Sequence, residues 1–308
     1  MVTTIAFETP ADLCAGLEQS PSAYHLALGR LAAEALRAEA LLTPKPGLVD
    51  RRGSGAHADM DLTMLLASAD ALEGWFTCLA EAASASLSEG WSDIALRREL
   101  GRLGRAAEVE MLAATGGVNT HRGALFSLGF LVAGTARAES RHAECVVAAA
   151  ARMAQLPDVV LERKRSHGDI IRERRPRVGA AAEAASGYPT ALQVALPILR
   201  SGRLRGADDH VTALNAILAV MAVLDDTCVL YRGGSEALAS VRHAAAGVLT
   251  QGGVGTAEGS LELARLDKMC LRSRLSPGGA ADVLSSAIFL DMLTDNNSIG
   301  GCGADPYV

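Results

Sequence analysis

Apolar residues recur every three or four positions along most of this chain, which is the spacing of one face of an α-helix. The clearest stripe lies within residues 208–231. It consists of Val211, Leu214, Leu218, Met221 and Cys228. No segment alternates as a β-strand would. The spacing predicts helices over residues 23–42, 60–87, 92–114, 123–136, 140–155, 189–201, 208–231, 234–249, 257–273 and 277–293.

These helices are predicted to form one all-α domain, a multi-helix bundle over residues 23–293 that would hold the catalytic site. No linker rich in proline and serine divides the chain, and no internal repeat stands out. Residues 1–22 show little periodicity and are predicted to be a lead-in, and residues 294–308 a C-terminal tail.

Composition narrows the class of protein. Of 308 residues, 49% are hydrophobic, which is enough for a large core. The net charge is −6, whereas proteins that bind nucleic acid are usually basic, and no apolar run approaches the length of a membrane span. The six cysteines include no C-x-x-C pair, which argues against a zinc motif and indicates reduced thiols. We therefore expect a cytoplasmic protein without nucleic-acid or membrane partners.

Polar residues cluster in loops that precede helices. In the first loop two prolines flank Lys45 and hold its backbone extended. His57 follows, then Asp59, which is expected to cap the next helix, and Asp61, which is expected in its first turn. A turn and a helix cap explain these residues as well as a binding site does.

The second loop, residues 115–123, combines paired glycines with polar side chains. Asn119 or Thr120 can cap the following helix, whose free backbone N–H groups attract anions. Arg122 adds a bidentate donor for phosphate. The loop is neither a Walker loop nor a dinucleotide-binding fingerprint, so its signal is weak when taken alone.

Two adjacent carboxylates, Asp225 and Asp226, lie within the segment that carries the clearest apolar stripe. Asp225 lies four residues after Met221 on that stripe, so it is expected to be buried and to need a cation, a metal ion or a donor. A buried ion pair with an arginine is the alternative explanation. Asp226 is expected to lie off this stripe, where it is either exposed to solvent or positions other side chains of the site.

A fourth loop leads into the last predicted helix. Ser276 and Pro277 form a standard helix start. Gly278 and Gly279 each cost about 1 kcal/mol against alanine inside a helix. These two glycines indicate either that a ligand occupies the space beside them or that another helix packs closely against them. The basic stretch at 163–177 is explained equally well by a solvated loop and by a polyphosphate-binding segment.

Together the loops predict a cavity for a phosphorylated ligand where helix N-termini converge. We expect it to be lined by Lys45, Asp61, Asn119 and Arg232.

The loops jointly resemble the triphosphoribosyl-dephospho-CoA synthase family, the ATP:dephospho-CoA triphosphoribosyl transferases. The resemblance extends from about residue 27 to residue 293. It is carried by His57, Glu183 and segments 43–50, 59–61, 116–123, 167–168, 186–190, 195–197, 226–227, 232–234 and 275–279. The positions that depart from the usual family pattern are Ala56, Cys228, Tyr231 and Ala280.

The resemblance implies a pentosyltransferase in which the 2′-hydroxyl of 3′-dephospho-CoA displaces adenine from C1 of the ATP ribose. The product would be the precursor of the prosthetic group of malonate decarboxylase or citrate lyase, with the malonate pathway favoured. The partners implied are a downstream phosphoribosyl-dephospho-CoA transferase, the acyl carrier protein and a second copy of this chain.

The family's product linkage is α whereas ATP is a β-nucleoside, so the resemblance implies one displacement with inversion. Such a step needs a base, an acid for the departing adenine and negative charge near C1. The candidates for catalysis are Asp59, Asp61, Asp225, Asp226, His57 and His121. The candidates for substrate binding are Lys45, Asp50, Arg51, Asn119, Thr120, Arg122, Arg232, Ser276, Gly278 and Gly279. Mg²⁺ is expected with ATP, and its candidate ligands are Asp59, Asp61 and Asp226.

Two other functions are alternatives. A helical ADP-ribosyl-bond hydrolase also acts at a ribose C1 and holds Mg²⁺ with segments like Asp225-Asp226-Thr227. A non-enzymatic helical protein that assembles a decarboxylase complex is the other. The synthase is favoured because the polar residues cluster in ligand-like loops.

Overall fold

The computed structural model of the chain describes residues 22–158 and 167–295. Within these ranges the chain forms α-helices and no β-strand, so the all-α prediction is confirmed. The helices are α1 Ala23–Leu41, α2 Leu62–Ser88, α3 Asp93–Ala114, α4 Arg122–Ala138, α5 Ala143–Ala154, α6 His167–Arg174, α7 Ala180–Ala185, α8 Leu196–Leu204, α9 Asp209–Val223, α10 Thr227–Thr250, α11 Ala257–Arg272 and α12 Gly278–Asp295. A π-helical turn, Ala191–Ala195, leads directly into α8.

Side-chain caps set the start of several helices. Ser22, Ser92, Asp208 and Thr256 each precede a helix and accept a hydrogen bond from the backbone N–H three residues later. The caps satisfy N–H groups that have no partner inside the helix. These four starts lie within one residue of the predicted ones.

Helix α12 lies at the centre of the fold. Its residues 283–291 are all buried, as expected of a helix that is apolar on nearly every side. It packs against α1, α4 and α9. Since α1 also packs on α2, and α9 on α10, the central helix joins both parts of the chain in one hydrophobic core.

The predicted single helix over residues 208–231 is wrong. Helix α9 ends at Val223, the backbone is extended at Leu224 and Asp226, and α10 begins at Thr227. The apolar spacing continues across this break and conceals the N-cap signal of Asp226. The predicted gap before residue 234 is instead a kink within α10, at Gly234. Helices α6 and α7, of eight and six residues, are too short for the spacing to predict.

Some expectations fall outside the described residues. They include nearly all of the predicted lead-in and tail, and residues 163–166 of the basic stretch. Within the described part no single helix is long and apolar enough to cross a membrane, although the bent pair α9 and α10 reaches that length and composition together.

Most of the described cysteines agree with the sequence prediction. Cys145, Cys228 and Cys270 are free thiols. Cys78 is disulfide-bonded, so the expectation of reduced thiols is wrong at that position.

Candidate active site

A cavity of about 620 Å³ opens beside α3 and the first turns of α4, α10 and α12. Its volume lies within the range of about 300–1,000 Å³ typical of ligand pockets. The N-terminal ends of three long helices therefore meet at one cavity, as the sequence predicts.

The cavity contains only some of the predicted residues. Those in its lining are Asn119, Arg122, Asp225, Asp226 and Gly279. Those outside its lining are Lys45, Asp50, Arg51, His57, Asp59, Asp61, Thr120, His121, Arg232, Ser276 and Gly278. The prediction that Lys45, Asp61, Asn119 and Arg232 line one cavity is therefore wrong for all but Asn119.

Lys45 is a structural residue at the end of α1. It is 1% exposed, and its Nζ lies 2.7 Å from Glu39 Oε1. The ammonium also donates to the Glu39 carbonyl at 2.6 Å and the Ala40 carbonyl at 3.4 Å. An ammonium has three N–H donors, and the carbonyl end of a helix favours a cation. Lys45 is therefore fully engaged and is not placed to bind phosphate.

The neighbouring residues of this loop are also structural. Asp50 is buried and accepts hydrogen bonds from the backbone N–H groups of Lys45 and Arg52 and from the Arg52 guanidinium. Arg52 in turn pairs with Asp267 of α11 at 2.7 Å. Arg51 is exposed. The loop thus links α1 to α11.

His57 belongs to a polar cluster outside the cavity lining. Its Nε2 lies 2.8 Å from Ser276 Oγ, and its Nδ1 lies 3.3 Å from the Arg232 guanidinium. Burial, followed by the charge of Arg232, lowers the pKa of His57, so the ring is neutral at pH 7. The cluster ties the loop after α1 to α10 and to the start of α12.

Asp61, rather than Asp59, caps α2. Its carboxylate accepts a hydrogen bond from the Met64 N–H at 2.9 Å, whereas the Asp59 side chain is 67% exposed. We expect Asp61→Ala to lower the free energy of unfolding by about 1 kcal/mol, because one helix cap is lost. Urea unfolding measures this change, and Asp59→Ala is the control that should leave stability unchanged. A large loss of turnover at unchanged stability in either variant would restore the predicted catalytic role.

His121 is buried against α2. Its Nδ1 lies 2.8 Å from Ser68 Oγ, which also accepts a hydrogen bond from Thr120 Oγ1 at 2.8 Å. Burial, with Lys45 nearby, lowers the pKa of His121 to about 3. The ring stays neutral at physiological pH, which does not suit the predicted role of acid.

The structure reverses the predicted environments of Asp225 and Asp226. The Asp225 side chain is 46% exposed and pairs with Arg242 at 2.9 Å, whereas Asp226 is 3% exposed. The reason is that α9 ends at Val223, so its helical phase does not reach Asp225.

Asp226 ties the first turns of α10 and α12 together. Its Oδ1 accepts hydrogen bonds from the N–H groups of Cys228 at 2.8 Å and Val229 at 3.1 Å. Its Oδ2 accepts one from Ala280 at 2.9 Å, and the Gly279 N–H contributes another. A carboxylate has about four lone-pair sites. The four backbone N–H groups occupy these sites. The Asp226 carboxylate therefore has no free lone pair with which to bind a metal ion or to take a proton from a substrate.

Gly279 is explained by the same contact. A Cβ at this position would lie 3.0 Å from Asp226 Oδ2. At Gly278 it would lie 3.0 Å from Cys228 Sγ. The close helix contact predicted as one explanation is therefore present at both glycines, and Gly279 also faces the cavity.

Asp282 is a cavity carboxyl group that no sequence motif singles out. It lies on α12 and accepts a hydrogen bond from the Ala124 N–H at the start of α4. A Cβ on Gly123 would overlap its Oδ2, so a larger residue there would displace the Asp282 carboxyl group. Burial, then the nearby Asp226 and Glu39, raise the pKa of Asp282 well above its usual range. The raised pKa favours the protonated form of Asp282, which can donate a proton.

Burial also raises the pKa values of Glu183 and Asp226 in the cavity lining, but several hydrogen bonds to each carboxylate oppose the rise. Glu108, Asp158 and Asp225 form ion pairs with arginines. Glu183 accepts three hydrogen bonds at the start of the π-helical turn. Within the described residues Asp282 has no cation partner, and a single hydrogen bond, from the Ala124 N–H, opposes the rise in its pKa. The signal that could have identified it is its position three residues after Gly279, on the same helix face.

The predicted Mg²⁺ ligands do not come together. Asp59 lies beside His57, Asp61 caps α2, and Asp226 is filled by backbone donors. No group of three or more His, Cys, Asp or Glu side chains in the described ranges is arranged to hold a metal ion. These residues do not fit a protein-held Mg²⁺ site.

The chain matches a protein-family model described as ATP:dephospho-CoA triphosphoribosyl transferase over residues 25–300. It is 48% identical over 264 residues to the probable 2-(5″-triphosphoribosyl)-3′-dephosphocoenzyme-A synthase of Pseudomonas putida, covering 86% of this chain and 93% of that protein. It is 43% identical over 268 residues to the 2-(5″-triphosphoribosyl)-3′-dephosphocoenzyme-A synthase of Klebsiella pneumoniae, covering 86% and 93%. No solved structure matches the chain.

Proposed function

The chain belongs to the ATP:dephospho-CoA triphosphoribosyl transferase family, and we propose that it joins ATP to 3′-dephospho-CoA in the cavity beside α3, α4, α10 and α12. The observation that carries this placement is Asp282, a buried carboxyl group of raised pKa that lines the cavity and accepts one backbone hydrogen bond. Adenine leaves more readily when a ring nitrogen gains a proton, and a carboxylic acid of raised pKa is suited to supply it.

The reaction balances with the residues present. The bond between C1 and adenine breaks and its electron pair goes to adenine, which takes the proton from Asp282. The 2′-oxygen of dephospho-CoA bonds to C1, its proton passes to water, and water restores the proton of Asp282. Overall, one proton moves from the hydroxyl to adenine. Once Asp282 has given up its proton, its negative charge stabilises the positive character at C1.

The triphosphate has a donor in the lining. Arg122 lines the cavity at the start of α4 and pairs with Glu108, and its Nε is buried without a hydrogen-bond partner. A phosphate oxygen is a suitable acceptor for that N–H. Because the protein residues do not form a metal site, Mg²⁺ would enter on the phosphate oxygens of ATP.

We also propose the downstream partners, the location in the cell and the assembly of the protein. As a precursor of an acyl-carrier prosthetic group, the product would pass to a phosphoribosyl-dephospho-CoA transferase and then to the carrier protein of a malonate decarboxylase or citrate lyase. The proposed substrates are intracellular metabolites, so we place the enzyme in the cytoplasm. A homodimer is the proposed assembly.

Product analysis by mass tests the proposed reaction. Purified protein with ATP and dephospho-CoA is expected to release adenine and the triphosphoribosylated product in equal amounts, with no adenine when dephospho-CoA is omitted. Adenine release with water as the acceptor would instead support a hydrolase. No adenine release, together with tight binding of a carrier subunit, would support an assembly protein.

A further inference from the structure

Helix α3 presents a row of residues to the cavity. Arg97, Gly101, Gly104 and Arg105 all line it and are three, four or one positions apart. Residues three and four apart share one face of a helix, so the two guanidinium groups project from the same face. Glycine at two positions between them keeps that face open.

Arg97 has an unused donor. Its side chain is buried, with NH1 3.3 Å from Asp158 Oδ2 and the guanidinium carbon 5.1 Å from the Phe130 ring centroid. Its Nε is buried without a hydrogen-bond partner. A buried N–H without a partner is destabilising, so this group favours a ligand that accepts a hydrogen bond.

Arg105 lies eight residues after Arg97 on α3 and contacts the same carboxylate, that of Asp158. Its NH1 lies 2.8 Å from Asp158 Oδ2, the oxygen that Arg97 also contacts. A guanidinium has five N–H donors in a planar fork, which matches the oxygens of phosphate. The two forks together suit an anion with several oxygens.

The glycines set the shape of this face. A Cβ at Gly101 would overlap the Asp158 carboxylate, so Gly101 admits the ion pair. A Cβ at Gly104 would meet no atom within 4 Å, so Gly104 leaves open space beside the arginines.

We propose that Arg97, Arg105 and the open space at Gly104 form a subsite for a phosphoric anhydride. The inference rests on the proposed function, which supplies two such groups: the triphosphate of ATP and the diphosphate of dephospho-CoA. Either would accept a hydrogen bond from Arg97 Nε and lie along the face of α3 that carries Gly101 and Gly104.

Binding measured by calorimetry on the full-length protein tests the subsite, with ATP, dephospho-CoA and inorganic triphosphate as separate probes. Arg97→Gln and Arg105→Gln each remove a donor fork, and Arg98→Gln, on an exposed side of α3, is the charge-matched control. Gly104→Leu fills the open space with a better helix former. Gly247→Leu is its control, because a Cβ there also meets no atom within 4 Å and the residue does not line the cavity.

We expect Arg97→Gln, Arg105→Gln and Gly104→Leu to weaken binding of inorganic triphosphate and of at least one nucleotide by about 10-fold or more. The nucleotide that is affected identifies which anhydride occupies the subsite. Both control variants should bind as the wild type does.

Binding of all three probes within about twofold of wild type by Arg105→Gln and Gly104→Leu would overturn the subsite, even if Arg97→Gln lost stability. A wild type that binds triphosphate through these residues but releases no adenine would instead overturn the proposed transfer and support the subsite. The two proposals therefore fail separately.

Discussion

Replacing Asp282 by asparagine is expected to lower the turnover of ATP and dephospho-CoA by about 10²–10⁴-fold, the usual contribution of a general acid. Asparagine keeps the shape of the side chain and can still accept the Ala124 N–H. It cannot protonate adenine. Adenine release followed by chromatography measures the loss, and the melting temperature should stay close to that of wild type. Asp70→Asn, at a largely exposed carboxylate on α2, is the matched control that should leave turnover unchanged.

The pH dependence gives a second measure of this residue. Only the protonated form of Asp282 donates, so wild-type turnover is expected to fall as pH rises through its pKa. The titratable groups near it are Asp226, Cys228 and Glu39, and Lys45 neutralises Glu39. In Asp282→Asn the residual turnover should lack this alkaline fall. A variant with nearly normal turnover and an unchanged pH profile would show that Asp282 is not the acid.

Replacing Asp226 by alanine is expected to lower the free energy of unfolding by about 2–4 kcal/mol. The variant loses a helix cap and also leaves buried N–H groups on two helices without partners. Urea unfolding measures the change. Asp208→Ala is the matched control: it removes the cap of α9, a single hydrogen bond to the Val211 N–H, and should cost about 1 kcal/mol.

The sequence alone leads to a different expectation for Asp226. As a catalytic base or metal ligand it would lose turnover on replacement without losing stability. Asp226→Ala could instead melt and unfold as the wild type does but release no adenine. In that case the assignment of Asp226 as a cap of both α10 and α12 is wrong, and its predicted catalytic role is restored.

The fold class could be predicted because it depends on local patterns. The three- and four-residue spacing, with caps such as Ser92 and Thr256, specifies where most helices lie. The family could be predicted from its loop segments. The convergence of helix N-termini on one cavity also follows from the loops that precede those helices.

The individual roles could not be predicted, because they depend on contacts between distant parts of the chain. Lys45 has the charge of a phosphate ligand, but the carbonyl end of α1 and Glu39 take all its donors. Asp225 is exposed and Asp226 is buried, the reverse of what the sequence predicts, because α9 ends at Val223, two residues before Asp225. Asp282 becomes an acid only when α4 and α12 meet around it.

A crystal structure of Asp282→Asn with ATP and dephospho-CoA tests the location of the reaction most directly, since slow turnover keeps the substrates intact. We predict an adenine ring nitrogen at hydrogen-bonding distance, about 2.7–3.2 Å, from the side chain at position 282. Adenine and ribose bound elsewhere, for instance in the groove lined by Pro44, His210 and Asp267, would contradict the account.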